Sequence, residues 1–198
     1  MAAKLRNLCL LGTSHVGKST CARALGSTAG MAVISTDKLG RHPGRPWTDV
    51  PKEVEEFYQH LSDDTIHWFL RVHHENMRPV IQNCVADMRQ ANSAFVLEGS
   101  ALRPEYLSFW DISDALSICL YADNEFLRRR IEAESDHAAQ GKPMKIAIDR
   151  FIERSLREND ALVEAANRHG VPLFDVTHVT SAKSLIEKLS AQLKSRPS

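Results

Sequence analysis

The sequence predicts an α/β fold, a five-stranded parallel sheet with helices on both faces. Three observations predict it. Short apolar runs of strand length alternate with longer stretches of helical periodicity, and that alternation places a parallel sheet between two helical layers. A glycine-rich loop, Gly12-Thr13-Ser14-His15-Val16-Gly17-Lys18-Ser19, joins the first strand-like run to the first helical one. Two acids, Asp37 and Glu98, close the second and third runs. They fall at the carboxyl ends of strands, where ligands of such sheets gather.

The elements follow in order. Residues 5–11 (LRNLCLL) read as a buried strand, and 18–26 as a helix with Cys21, Ala24 and Leu25 at helical spacing. Residues 31–36 (MAVIST) form the second strand, ending at Asp37. Gly40, Pro43, Gly44 and Pro46 give 38–50 the composition of a shaped loop. A helical region covers 51–77 and breaks near Ser62, which caps a second segment beginning Asp63-Asp64-Thr65. Pro79 is expected to open a further helix running to about Gln90.

Residues 94–98 (AFVLE) are the third strand, closed by Gly99, and 115–121 (ALSICLY) the fourth. Asp123 is placed to cap a helix over 124–135, with Leu127 and Ile131 on one face. Residues 137–145 (HAAQGKPMK) read as a mobile loop. A long helix follows over 146–169, with Ile148, Ile152, Leu162, Val163 and Ala166 inward, and Gly170 ends it. Residues 172–176 are the fifth strand, and Ser181 starts a last helix with Leu185, Leu189 and Leu193 on one side. No repeat, low-complexity tract or linker divides the chain. Residues 1–198 are therefore expected to form one domain, with 37–92 as a substrate-binding helical region and 135–145 as a lid.

Composition narrows the function. Hydrophobic residues are 43% of the 198, enough for a core, and Lys+Arg equals Asp+Glu at 25 each. That balance gives no broad polyanion-binding surface. Cys9, Cys21, Cys84 and Cys119 are isolated, without a C-x-x-C pair, so a reduced, cytoplasmic setting is expected. The start MAAKLRN is not expected to be a signal peptide. No apolar run approaches membrane-spanning length.

The loop at 12–19 has the full G-x-x-x-x-G-K-S spacing of a P-loop NTPase. Gly12 and Gly17 permit backbone conformations closed to other residues, so that consecutive N–H groups converge on an anion at the positive end of the following helix. The expected nucleotide site is Gly12, Thr13, Ser14, His15, Val16, Gly17, Lys18, Ser19 and Thr20. Lys18 reaches the outer phosphates and Ser19 ligates Mg²⁺. His15 occupies a variable position and receives no further role.

Asp37 lies where a terminal phosphate ends, and a carboxylate there orients an acceptor hydroxyl and takes its proton. Glu98, at the end of the apolar run AFVL, resembles a Walker B acid; it holds Mg²⁺ through water or orients the acceptor. Arg103 is a candidate for a polar or anionic substrate group. Arg45, with His42 and Trp47, is a candidate from the loop after Asp37. Among the basic residues flanking 137–145, Arg130 and Arg154 are the candidates to touch nucleotide. Arg128–Glu132 and Arg130–Glu134 have the spacing of exposed i,i+4 pairs, and Arg150, Arg154 and Arg157 share a helix face that is expected to look into the cleft. His60, His67 and His74 recur every seven residues and read as a polar face, since no H-E-x-x-H or C-x-x-C accompanies them.

These features together resemble the P-loop kinases of the shikimate kinase and nucleoside monophosphate kinase type. The likeness spans nearly the whole chain: the phosphate loop at strand one, the acid after strand two, FVLEG at strand three and an arginine-bearing lid. Ser35-Thr36-Asp37 is similar to the acceptor-activating motif of chloramphenicol phosphotransferase, zeta toxin and polynucleotide 5′-kinase. The segment KIAIDRFIERSLREND resembles the helix after the lid in the polynucleotide kinase group, and FVLEGS with LRPEYL resembles 2-phosphoglycerate kinase-like proteins. The HPGRPW loop matches no substrate motif of these families.

The resemblance implies ATP and Mg²⁺, with Asp37 as base, Lys18 and Ser19 on phosphate and metal, and Arg130 or an arginine near it as a lid cation. The function expected is transfer of the ATP γ-phosphate to a hydroxyl of a small-molecule acceptor. A 5′-hydroxyl polynucleotide kinase is an alternative that the neutral composition disfavours. A regulatory ATPase that binds a protein partner is another, and it would need no acceptor.

Overall fold

Five consecutive buried residues, Asn7–Leu11, make the central strand β1. Their side chains alternate between two cores. Leu8 and Leu10 join one cluster, and Cys9 and Leu11 the other, as the two-residue strand period requires. A strand buried on both faces reads as continuous apolar sequence, which is why this element was legible. The structure is a computed structural model and describes residues 6–194. The expectations for Leu5 and for the side chain of Leu193 lie outside the described residues.

The remaining elements are α1 (Lys18–Ala29), β2 (Ala32–Ser35), α2 (Lys52–His60), α3 (Asp63–Gln90), β3 (Phe95–Gly99), β4 (Ala115–Tyr121), α4 (Asn124–Glu134), α5 (Lys142–His169), β5 (Leu173–Asp175) and α6 (Val179–Lys194). Short 3₁₀ helices lie at Thr36–Lys38, Pro104–Phe109 and His137–Ala139. The sheet has five parallel strands in the order β2-β3-β1-β4-β5. The order reverses direction at β1, so a crevice opens beyond its carboxyl end. One core, with Leu25 of α1, Leu127 of α4 and Leu185 of α6, covers one face; the other, with Ile81 of α3 and Leu162 of α5, covers the opposite face. A third cluster lies between α2, α4 and α5, centred on Tyr58, Ile131 and Phe151.

Caps follow the sequence signals. Ser62 Oγ accepts the Thr65 N–H at 3.2 Å at the start of α3, and Asp123 accepts from Glu125 and Phe126 at the start of α4. Gly170 closes α5 at φ 68°.

Two expectations are corrected. Pro79 does not open a helix; α3 runs unbroken through it. The proline deprives the Glu75 carbonyl of its amide donor, a cost of about 3 kcal/mol in a helix interior. Met77, Ile81 and Val85 are buried along one stripe across that point, and burial of each contributes about 2 kcal/mol, which outweighs the break. Residues 137–145 are not a loop throughout. After the turn at His137–Ala139, α5 begins at Lys142 with Pro143 in its first turn, where a missing N–H costs nothing. Gln140 Nε2 donates to the Ser135 carbonyl at 2.8 Å, and His137 contacts Asp149 at 2.9 Å, so this segment is tied to both helices.

Candidate active site

The chain leaves β1 through Gly12 at φ 141°, and a Cβ there would lie 2.5 Å from the Leu120 carbonyl oxygen and 2.9 Å from Val16 Cγ1. His15 and Gly17 also have positive φ, 65° and 96°, so the backbone curls tightly before α1. Helix α1 has no side-chain cap and no acid in its first turn. Its leading N–H groups are therefore unclaimed by side chains and present the positive end of the helix to the loop. Thr13 Oγ1 donates to the Ser155 carbonyl of α5 at 2.9 Å and fixes the base of the loop. Lys18 is buried and its ammonium donates to the Thr13 carbonyl at 2.6 Å. Burial pulls its pKa down from the ordinary lysine value, and the charges of Asp37 and Glu98 pull it back up.

Strand pairing supplies those acids. Glu98 stands opposite Leu10 of β1 on one side and Ser35 of β2 on the other. It is buried, and its Oε1 accepts the Ser19 hydroxyl at 2.9 Å. Glu98 Oε2 is buried with no partner. An orphaned carboxylate oxygen beside a hydroxyl fits Mg²⁺, a hard ion that takes oxygen ligands and completes its shell with phosphate and water. Among the described residues no three His, Cys, Asp or Glu gather into a metal site by themselves. Gly99 and Thr36 lie in close contact: a Cβ on Gly99 would fall 1.7 Å from Thr36 Oγ1. That approach sets the end of β2, and with it Asp37, against the end of β3.

Residues Ser14, His15 and Gly17 to Thr20 of the phosphate loop line one cavity of about 450 Å³ with Asp37, Arg45, Arg130 and Arg154; Gly12, Thr13 and Val16 are buried and do not line it. Arg130 Nη1 is 3.7 Å from the Cβ position of Gly17, over the loop. Arg154 donates to Ser14 Oγ at 3.3 Å and to the Tyr58 hydroxyl at 2.9 Å, with its guanidinium 4.2 Å from the Phe151 ring centroid. It enters no ion pair among the described residues. Arg45 pairs with Glu134, whose other oxygen lies 3.2 Å from His15 Nε2. His15 packs against the Trp47 and Phe151 rings, which also meet each other at a centroid distance of 4.9 Å. Its burial lowers it to about 4, against an opposing pull from Glu134.

Other candidates stand elsewhere. Arg103 does not reach the cavity. It is fully buried, paired with Glu158 and with Glu105 at 2.7 Å, so its expected contact with substrate gives way to a structural ion pair. Of the three arginines sharing an α5 face, only Arg154 turns inward; Arg150 pairs with Asp63 at 3.0 Å and Arg157 with Asp64 at 2.6 Å. Arg128 takes Glu153 of α5 rather than Glu132, and Glu134 takes Arg45 and His15 rather than Arg130. The seven-residue histidine spacing crosses the break at Ser62, so only His67 and His74 meet, both facing Glu158. The residues the sequence reading missed are Tyr58, which anchors Arg154, and His73, which lines the cavity beside His42 and His74.

An uncapped helix behind a glycine turn, a buried lysine and a strand-end acid beside the loop serine are arranged on a parallel sheet of order 2-3-1-4-5. This is the P-loop kinase fold. The chain belongs to the AAA domain family, whose model matches residues 8–165. Among solved structures, a sugar kinase from Janibacter sp. HTCC2649 is similar at TM-score 0.58 and 18% identity, over 96% of this chain and 94% of that one. Shikimate kinase from Bacteroides thetaiotaomicron is similar at TM-score 0.50 and 18% identity, over 95% and 98%. Shikimate kinase from Aquifex aeolicus is similar at TM-score 0.50 and 14% identity, over 95% and 96%. At such identities these likenesses show the fold. No curated protein matches the sequence.

Proposed function

We propose that the protein is an ATP-dependent phosphotransferase that moves the γ-phosphoryl group to a hydroxyl of a small-molecule acceptor. The observation that carries this reading is a single cavity that contains both the phosphate loop and the exposed carboxylate of Asp37. A carboxylate in that place can orient an acceptor hydroxyl towards the terminal phosphate and take its proton. The loop N–H groups, Lys18, Arg130 and Arg154 bind the phosphates and neutralise charge in the transition state. Asp37 orients the acceptor hydroxyl and takes its proton as the oxygen–phosphorus bond forms and the bond to the departing ADP oxygen breaks. Ser19, with Glu98 through water, would hold Mg²⁺, which supplies charge neutralisation at the outer phosphates when bound.

Residues 37–92 contribute the acceptor side. The covering role expected of 135–145 falls to the end of α4, because Arg130 and Glu134 line the cavity. Closure there excludes water and suppresses hydrolysis of ATP. Cys9, Cys21 and Cys119 are buried free thiols, which supports a reduced, cytoplasmic setting. Among the described residues no helix is long and apolar enough to cross a membrane.

The test is transfer of label from γ-labelled Mg-ATP. Purified protein is given either a metabolite fraction or a 5′-hydroxyl oligonucleotide. Label moving into a small molecule supports the proposal. Label moving only to the oligonucleotide, or ATP turnover that no acceptor stimulates, refutes it.

A further inference from the structure

Two arginines of α5 are held by acids: Arg150 pairs with Asp63 and Arg157 with Asp64. Arg154, between them on the same helix, is held by neutral groups. It donates to the hydroxyls of Ser14 and Tyr58, and its guanidinium lies on the Phe151 ring. No carboxylate among the described residues pairs with it, so its charge stays in the cavity and reaches both ends. Ser14 belongs to the phosphate loop, while on the acceptor side Arg154 opposes protonation of His42, His73 and His74. A carboxylate partner would fix the side chain more tightly but would cancel the charge that a transferring phosphoryl group needs. Neutral partners fix the planar fork and leave its charge intact.

Tyr58 makes the shorter of the two contacts. Arg154 Nη1 donates to its hydroxyl at 2.9 Å, against 3.3 Å from Nη2 to Ser14. Tyr58 is fully buried and does not line the cavity, so it meets the reaction only through Arg154. Its ring stands edge-on to Phe57 with centroids 5.0 Å apart, and lies 6.0 Å from that of Phe151. A phenol has one hydrogen to donate and lone pairs to accept with. The hydrogen goes to the Gly44 carbonyl at 3.0 Å, which leaves the lone pairs for Arg154. Burial raises the Tyr58 pKa, against a pull from Arg154, so the phenol keeps that hydrogen near pH 7. The two bonds strengthen each other, because successive donors and acceptors in a chain polarise one another. Gly44 lies in the loop that follows Asp37, at φ 74°. The hydroxyl thus joins the acceptor-side loop to the cation on the phosphate loop.

We propose that Tyr58 is a positioning residue for phosphoryl transfer: held by the Gly44 carbonyl, its hydroxyl sets the Arg154 guanidinium against the phosphate loop, so that the cation is in place only when the acceptor-side loop is. This inference rests on the phosphotransferase reading, which gives Arg154 its part, and adds to the machinery a residue outside the cavity. Without the hydroxyl, Arg154 keeps only the longer bond to Ser14, and its long side chain regains rotamer freedom.

The experiment is ADP release from Mg-ATP, with a fixed amount of the metabolite fraction, by Tyr58→Phe, Arg154→Ala and the double variant. Phenylalanine keeps the ring between Phe57 and Phe151 and removes the hydroxyl alone. Tyr58→Phe is expected to lower the maximal rate about tenfold, the effect of one hydrogen bond to a charged group, and to change the KM for Mg-ATP less than about threefold. Arg154→Ala is expected to lower the rate further, and the double variant to be no slower than Arg154→Ala, because the hydroxyl has nothing left to position. Gly44→Ala approaches the same link from the loop. Its methyl would meet only His42 Cε1, 4.0 Å away, but φ 74° strains the backbone and shifts the carbonyl. It is expected to lower the maximal rate of the wild-type protein and to add nothing in Tyr58→Phe. Losses that multiply in the double variant, or an unchanged rate in Tyr58→Phe, overturn the inference and leave the phosphotransferase reading standing. A Gly44→Ala loss undiminished in Tyr58→Phe overturns the tie to the loop. ADP release that the metabolite fraction does not stimulate counts against the phosphotransferase reading instead, and the same cycle is then read on hydrolysis, where water takes the place of the acceptor.

Discussion

Acidification from about pH 7 to about pH 5 destabilises the fold through two imidazoles that folding keeps neutral. His15 is lowered to about 4 and His74 to about 3, both from 6.5, chiefly by burial. The neighbours pull both ways: Glu134 against Arg45 and Arg130 at His15, and Glu158 against Arg103, His73 and Arg154 at His74. Below pH 6.5 the unfolded chain takes up a proton at each site and the folded one does not. Stability therefore falls with pH, by about 1.4 kcal/mol per unit per ring. Between pH 6.5 and pH 5 the loss is about 1.6 kcal/mol for each ring and about 3 kcal/mol together, a large part of the usual 5–15 kcal/mol. The decline ends near pH 4 for His15 and near pH 3 for His74. His42 and His73 are lowered too and add in the same direction. Urea unfolding at fixed salt across this range measures the slope, and His74→Gln should reduce it by one proton. Stability flat between pH 6.5 and pH 5, or a slope unchanged in His74→Gln, would refute the burial argument.

Three further outcomes follow from the geometry. Lys18→Ala removes the cation nearest the phosphates and is expected to lower turnover about 10²- to 10³-fold, read as ADP release, with no loss of thermal stability because burial already opposes its charge. Gly99→Ala drives a methyl into Thr36 Oγ1 at φ 155°, and should cost about 2 kcal/mol or more and displace Asp37; thermal unfolding and acceptor KM report the two effects. Glu134→Gln breaks the link from Arg45 to His15. The pair is partly exposed, so stability should change by less than about 1 kcal/mol, while limited proteolysis within residues 38–50 quickens.

The elements legible in the sequence were those whose pattern is local. β1 is an unbroken apolar run because both faces are covered, and the glycine loop, Ser62, Asp123 and Gly170 carry their geometry in single residues. The placement of Glu98 beside Ser19 was legible for the same reason, since a strand end and a motif serine define it. What escaped depends on pairing over long separations. Arg103 meets Glu158 across 55 residues, and nothing near Arg103 marks it as buried. Arg154 faces the cavity while Arg150 and Arg157 do not, because two aspartates opening α3 claim the outer pair. Nothing local in the sequence singles out His73. It faces the cavity because the stripe Met77, Ile81 and Val85 fixes the rotation of α3 through Pro79.

The most direct test of the central claim is label transfer from γ-labelled Mg-ATP by Asp37→Asn beside the wild-type protein, with nucleotide binding measured on both. The substitution keeps shape and removes the proton acceptor. Transfer to the acceptor should fall about 10²- to 10⁴-fold while Mg-ATP binding stays within twofold or so. Undiminished transfer by Asp37→Asn would contradict the account, because the carboxylate facing the phosphate loop would then have no part in the reaction.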